Sequence, residues 1–402
     1  MAGHREGEVK TGRENRTEGR GFLSLGSATG GEGGMRARAR EVLRDAHPLA
    51  WLLLLAVALF SIQPFRYDPK FLLFFTLRYA LFVPAILWGL ALLVLCCAVW
   101  ARKKMSMSKE GANSFAPGTS ILKSRLAQGS YWRDFFWSYW AIFLILDCHF
   151  LVKVSIHAIN PRLFDSVLEI YDRWLFFGHD PVHFFLGLAK GRPLLLHAID
   201  TIYNAVYYFT FMVSVPALAL LAPKRRQRLS FAIAYSLIWI VGGAMYVALP
   251  SWGPTFCDHK PFEEALRFMP TVNYVQGIMA KGLTQLLDDP YASRTLSFGG
   301  VAAFPSLHIA VMTVFTLMSM KVSKVWGSFN LAVAACMFVG SMVTGYHYLS
   351  DGIAGIVLGS ASVVLALRWA DFFIGDSQGL SAGTTIIDHG PAPGEVDSRG
   401  FK

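Results

Sequence analysis

Charge is scarce in this chain. Of its 402 residues only 16% are Asp, Glu, Lys or Arg, whereas 54% are hydrophobic. A soluble globular domain carries about 25% charged residues, so there is too little polar surface here to face water. The mean hydropathy of +0.42 agrees, and an all-soluble architecture is set aside. Cysteine is sparse as well. Of five, Cys96, Cys97, Cys148 and Cys336 lie inside apolar runs and only Cys257 lies in a loop. That leaves no disulfide framework and no zinc spacing. A continuous basic face is also lacking. The formal net charge is +10, but Lys and Arg come in short clusters between apolar runs. Nucleic-acid binding would gather them on one face or helix; clusters between apolar runs are the loops of a membrane protein. The charged, apolar and small-residue regions of a cleaved signal peptide are not evident either, nor is an internal repeat of transporter type.

What the chain has in quantity is long apolar runs. A bilayer span takes about 17 to 25 mostly apolar residues, and eight stretches qualify: 49–65, 79–100, 135–156, 196–221, 230–249, 305–320, 327–345 and 352–370. The first is short and the sixth borderline. The predicted fold is therefore all-α, a polytopic membrane bundle of about eight helices. Residues 1–47 are predicted to be a disordered cytoplasmic arm, in which Met35, ahead of Arg36, Arg38 and Arg40, offers an alternative start. Residues 48–134 form a two-helix membrane hairpin with a basic loop, residues 135–372 a six-helix core, and residues 373–402 a disordered Gly-, Ser-, Thr- and Pro-rich tail. Basic residues mark the cytoplasmic side. The arm, the loop holding Arg102 to Arg133, the run Lys224, Arg225, Arg226 and Arg228, and the turn with Lys321 and Lys324 all fall on one side if both termini are cytoplasmic.

Two segments carry the chemistry. Phe304-Pro305-Ser306-Leu307-His308 opens span six, and Gly345-Tyr346-His347-Tyr348-Leu349-Ser350-Asp351 joins spans seven and eight. Proline suits a first helical turn, and His347 and Asp351, four apart, share one face of a helical turn. Span six descends from His308 and span seven returns to His347, so both histidines and Asp351 meet at one membrane face, the extracytoplasmic one. Two helix N-termini there make an anion pocket. A carboxylate on one imidazole fixes its tautomer, so His347 is free to attack phosphorus while His308 serves as acid and base. The alternatives at this point are histidines satisfied within the core, and a metal site of His308, His347 and Asp351, for which no fourth ligand is evident.

These residues resemble the motifs of the type 2 phosphatidic-acid phosphatase superfamily, Pro-Ser-Gly-His and Ser-Arg-x5-His-x3-Asp. Pro305-Ser306-Leu307-His308 has Leu in place of Gly, and Gly340-Ser341 stands where Ser-Arg would. The Phe-Pro-Ser-Leu-His form and the missing Arg look more like the inositol phosphorylceramide synthase branch and the related sphingomyelin synthases. The resemblance covers roughly residues 135–372. It implies a metal-independent transfer of a phospho-headgroup between lipids, with His347 as nucleophile, Asp351 as its partner, His308 as acid/base and no cofactor. The family's third motif, Lys-x6-Arg-Pro, is absent ahead of Pro305. Transition-state charge still calls for a cation, and Arg294 is the first candidate, followed by Lys281 and Arg267 in the same loop. Pro305, Ser306 and Tyr346 complete the expected substrate contacts.

The expected partners are membrane lipids: a phosphorylated donor, and a lipid or polyol hydroxyl or water as acceptor. Water as acceptor would make the enzyme a phosphatase, and a lipid or polyprenyl-phosphate transporter is the rival class. The expected location is a bacterial cytoplasmic membrane, with the oligomeric state open. Elsewhere, His179 and His183 are read as part of a helix start rather than metal ligands, and Asp172-Arg173-Trp174 as a pocket rim. Asp147 and His149 are read as helix-to-helix hydrogen bonders. Tyr203, Asn204, Tyr207 and Tyr208 are read as belt or packing residues ahead of a polar pocket wall, and Trp252-Gly253-Pro254 as a tight turn ahead of a headgroup contact.

Overall fold

The computed structural model describes residues 46–61, 127–289 and 300–382, together with the isolated positions 77 and 89; residues 1–45 of the expected arm and all of the span at 79–100 except position 89 lie outside them. The described residues are helical, without strands. The helices are α1 (Pro48–Ser61), α2 (Gly129–Ile159), α3 (Asp165–Leu175), α4 (Pro181–Ala189), α5 (Pro193–Leu221), α6 (Arg225–Ala248), α7 (Pro270–Asp288), α8 (Leu307–Met320), α9 (Lys324–Val343) and α10 (Leu349–Ala382). Short helical turns fill Pro254–Leu266. Five helices (α2, α5, α6, α9 and α10) are long and apolar enough to cross a bilayer, with α1 and α8 shorter. Helix α10 continues to Ala382, beyond the expected start of the tail at 373.

Helix α8 explains why its span is borderline. Fourteen residues at 1.5 Å rise cover about 21 Å, short of the ~30 Å hydrocarbon layer. Its sequence is apolar all round, the mark of a central helix. Leu307, Ile309, Ala310, Val311, Met312, Val314, Phe315 and Met318 are all buried. Irregular backbone is tolerated at membrane depth where protein surrounds it, and Val301, Ala302 and Ala303, which lead into α8, are buried too. Helices α6, α9 and α10 pack around α8. Phe315 stacks at 6.3 Å on Tyr235 and at 6.2 Å on Phe231 of α6. On the other side Gly355 and Gly359 of α10 abut the carbonyls of Ser306 and Ala310, so closely that no Cβ would fit. Small residues bring helix backbones together in this way.

The long helices alternate in direction. Helices α2 and α6, separated in the chain by α5, run parallel and pack along their length. Near one end Arg225 grips Asp134 through two hydrogen bonds of 2.6 and 3.0 Å, with His47 beside the carboxylate at 3.5 Å. Burial lowers the His47 imidazole below its ordinary value even though Asp134 pulls the other way. The basic run at 224–228 and the turn at 321–324 share this end: Gln227 Nε2 donates to the Lys321 carbonyl, and Arg226 pairs with Asp371. The opposite end receives the C-termini of α2, α6 and α9 and the N-termini of α5, α8 and α10. The alternation thus carries residues about 150, 203, 246, 308, 347 and 351 to one level.

Candidate functional site

At that level the joint between α9 and α10 folds into a tight loop. Gly345 adopts φ +72°, and a Cβ there would strike Phe262 and Thr255. Its carbonyl accepts the Thr255 amide at 2.9 Å, and Gln276 of α7 donates to the Thr344 carbonyl at 2.7 Å. The Trp252-Gly253 turn clasps the same joint. Gly253, at φ +92°, lies where a Cβ would meet the Tyr346 carbonyl. Asp165 of α3 accepts the amides of Trp252 and Gly253. The tight turn expected from the sequence is therefore a brace for His347.

His347 is buried, and its Nδ1 lies 3.0 Å from the Ala303 carbonyl and 3.2 Å from Asp351 Oδ2. Both neighbours are acceptors, so Nδ1 carries the proton and Nε2 keeps a free lone pair. Burial holds this imidazole well below its ordinary value, at about 3, with the positive charge of Lys153 pushing the same way and the Ala303 carbonyl opposing. It is the neutral form that can act as a nucleophile. Asp351 is fully buried, accepts the Tyr348 amide at 2.9 Å and, through its own carbonyl, the Ser306 amide at 2.9 Å. That last bond ties the two sequence motifs together.

His308 lies one residue into α8, and its ring centroid is 5.9 Å from that of His347. Ser306 occupies the cap position of α8 without capping it; its hydroxyl and Asp351 Oδ1 are buried with no hydrogen-bond partner. A buried orphan hydroxyl at the N-terminus of an apolar helix is suited to receive an anion. Pro305 is buried behind it, joined to Phe304 by a cis peptide bond.

Tyrosines stand around the pair of histidines, with Tyr203 and Tyr207 packed in the apolar core. Tyr207 and Tyr203 are buried with ring centroids 5.1 and 5.5 Å from His308, and Tyr346 stacks on Tyr203 at 5.4 Å. The cause is a π-helical turn at Ile202–Val206, which α5 inserts at this level; such turns re-aim side chains and favour functional sites. Only Tyr208 remains on the outside. Asn204 donates to the Asp200 carbonyl, and Asp200 in turn caps α7 through the amides of Thr271 and Val272.

Asp172 is the residue whose task sequence reasoning missed. It was expected at the pocket rim, yet it is buried and accepts the amides of Leu349 and Ser350 at 2.5 and 2.8 Å, capping α10 from another helix. Burial raises its carboxyl above the usual range, and those amides pull it back. A cap ahead of α10 was foreseeable, because a helix N-terminus needs acceptors, but the acceptor lies 177 positions away.

The remaining expectations resolve one by one. Arg294 lies outside the described residues. Lys281 and Arg267 are exposed, and no hydrogen bond or ion pair among the described residues joins them to the histidines. His149 Nδ1 meets the Trp239 carbonyl of α6 at 3.1 Å, the helix-to-helix bond expected of it. Asp180 caps α4 by accepting the His183 amide at 3.0 Å, so the His179–His183 segment is a helix start. Lys153 sits in α2 with its Nζ 5.8 Å from the centroid of the Tyr246 ring.

Residues 167–365 match the family model of the PAP2 superfamily. No curated protein and no solved structure matches the chain.

Proposed function

We propose that this chain of the PAP2 superfamily is a membrane phosphoryl-transfer enzyme in which His347 is the nucleophile, Asp351 orients it and His308 handles protons. The superfamily supports phosphatase or phosphotransferase activity in a membrane helical fold. The single observation behind the residue roles is the clamp on His347 Nδ1 by two acceptors, which leaves Nε2 as the reactive atom.

The reaction would proceed in two displacements. The Nε2 lone pair attacks phosphorus, the bond from phosphorus to the leaving oxygen breaks, and His308, which takes up a proton as the anionic substrate binds beside it, gives that proton to the leaving oxygen. Asp351 stabilises the positive imidazole ring that results. In the second displacement His308 takes the proton of an incoming hydroxyl, whose oxygen attacks phosphorus. The N–P bond breaks and its electron pair returns to Nε2. The α8 N-terminus and the Ser306 hydroxyl would donate to the phosphoryl oxygens.

The donor is a lipid phosphoester, and the acceptor is a lipid or polyol alcohol, as in the inositol phosphorylceramide synthase branch. The basic clusters at 224–228 and 321–324 sit at the end of the bundle away from the histidines, so the positive-inside rule supports an extracytoplasmic site. The test is to incubate the purified protein with radiolabelled lipid phosphates and phosphodiesters, with and without alcohol acceptors, using His347→Ala as the blank. Label in a new lipid only with acceptor present supports the transferase. Release of free phosphate alone makes water the acceptor, and no product across the panel favours a lipid-phosphate transporter.

A further inference from the structure

Helix α3 differs in pattern from the crossing helices. It is strongly amphipathic with little net hydrophobicity, which suits a helix that lies in a membrane interface rather than one that spans it. At 3.6 residues per turn its side chains fall on three faces, each roughly a third of a turn from the next. Asp165, Leu168 and Asp172 form a buried face. Ser166, Glu169 and Arg173 form a polar stripe, in which Arg173 donates to Glu169 at 2.6 Å. Val167, Ile170, Tyr171 and Trp174 form the third face, apolar and exposed, Trp174 by 77%. Phe177, two residues beyond the helix, is 92% exposed and adopts φ +54°. That left-handed position after a helix ordinarily goes to glycine, and a bulky side chain held there is an outlier. Its neighbour Phe176 meets Phe184 of α4 at 5.3 Å, and Phe184 is exposed as well.

The buried face fixes where α3 lies. Asp165 accepts the amides of the turn that follows α6, and Asp172 accepts those that begin α10. Seven residues separate the two carboxylates, about 10.5 Å along a helix. Packed helices such as α6 and α10 lie about 8 to 10 Å apart, so α3 runs from one helix end to the other, across the histidine end of the bundle and along the plane of the bilayer. With one face on protein, its two remaining faces meet two different media, the polar stripe water and the apolar face hydrocarbon. Exposed Ile353, Ile356 and Val357 of α10 begin about one turn beyond the amides that Asp172 holds, which brings the lipid-facing surface of the bundle up to α3. Tyr and Trp are the aromatic types that collect at this level of a bilayer.

We propose that α3 is an interfacial helix whose apolar face, extended by Phe177, is seated in the lipid leaflet at the histidine end of the bundle. Through Asp165 and Asp172 this seat holds the joint that carries His347 at a fixed depth. The link to turnover rests on the phosphoryl-transfer reading above; the seat itself does not.

The test places the full chain in phosphatidylcholine nanodiscs doped with a phospholipid that carries a diazirine near the top of one acyl chain. After irradiation the adducts are mapped to residues by mass spectrometry. Ile170, Tyr171, Trp174 and Phe177 should be labelled, and Ser166, Glu169 and Arg173 should not. The double variant Trp174→Ser, Phe177→Ser should cut labelling at Ile170 and Tyr171 about tenfold or more, because each aromatic side chain withdrawn from lipid costs at least that factor. Turnover on the labelled lipid panel should fall with it. An unlabelled α3 beside labelled Ile356 and Val357 overturns the proposal; if labelling is missing only in discs that hold two copies, the face belongs to a second copy. Equal labelling of the polar stripe and the apolar face overturns it too, since the helix then has no fixed seat. Labelling lost in the double variant while turnover stays within about twofold of the wild type breaks the link to the joint. If the wild type turns over no better than His347→Ala, the phosphoryl-transfer reading and that link fail together, and the labelling alone decides the seat.

Discussion

A methyl group at Gly355 should disable the site without touching any reacting group. Gly355 lies one helical turn beyond Asp351 on α10, and a Cβ there would sit 2.4 Å from the Ser306 carbonyl oxygen, with the Ile309 Cβ at 3.2 Å. Ordinary contact begins at 3.4 Å, so α8 and α10 must part by the difference, about 1 Å. The obstacle is backbone and cannot rotate away. The gap would open where the Ser306 amide bonds the Asp351 carbonyl, between the motif that carries His308 and the residue that orients His347. A misplacement of about 1 Å costs on the order of 10²-fold in rate, and overpacking of this kind costs about 1 to 3 kcal/mol in stability. Gly355→Ala should therefore lower turnover on the labelled lipid panel about a hundredfold while the protein remains folded in detergent with a reduced thermal midpoint. Gly187→Ala and Gly277→Ala, with nothing within 4 Å of the added Cβ, are the controls and should behave as wild type. If Gly355→Ala turns over within twofold of those controls, the α8–α10 contact does not set the geometry of the site.

Further expectations concern the site and its braces. His347→Ala should abolish turnover, and Asp351→Asn should cost on the order of 10⁴-fold if the carboxylate acts as a triad orienter does; activity that EDTA removes and a divalent metal restores would count against this mechanism. Asp172→Ala orphans two amides at the start of α10 and should cost about 2 to 6 kcal/mol at about 1 to 3 per buried group, seen as a lowered thermal midpoint. Stability should also fall as pH drops. His347 is held at about 3 when folded, against an ordinary value of 6.5, so the unfolded chain binds the extra proton between those values. Stability is then lost from about pH 6.5 down to 3, by at most about 1.4 kcal/mol per pH unit for this group. Midpoints measured across that range should decline less in His347→Gln. Burial first, and the nearby Asp165 charge second, push the Cys257 thiol up to about 12, so iodoacetamide at pH 8 should label it far more slowly than a free thiol.

Local pattern determined the spans and the residues that meet at the candidate site. Apolar runs of bilayer length yield helices wherever the backbone must satisfy itself, and Ser306, His308, His347 and Asp351 were legible because their spacing, combined with the length of two spans, brings them to one face. Even the doubtful sixth span told something true, since a run too short to cross and apolar all round is a central helix. Only the tertiary structure decided what lies around those residues. A π-helical turn in α5 aimed Tyr203 and Tyr207 inward, which no apolar periodicity announces. Asp172 reached the α10 N-terminus from 177 positions away. Sequence spacing reports neighbours within a turn or across a span. Partners from different helices are chosen by how the helices pack, and that depends on close approaches such as Gly355 on Ser306 that exist only once the bundle has formed.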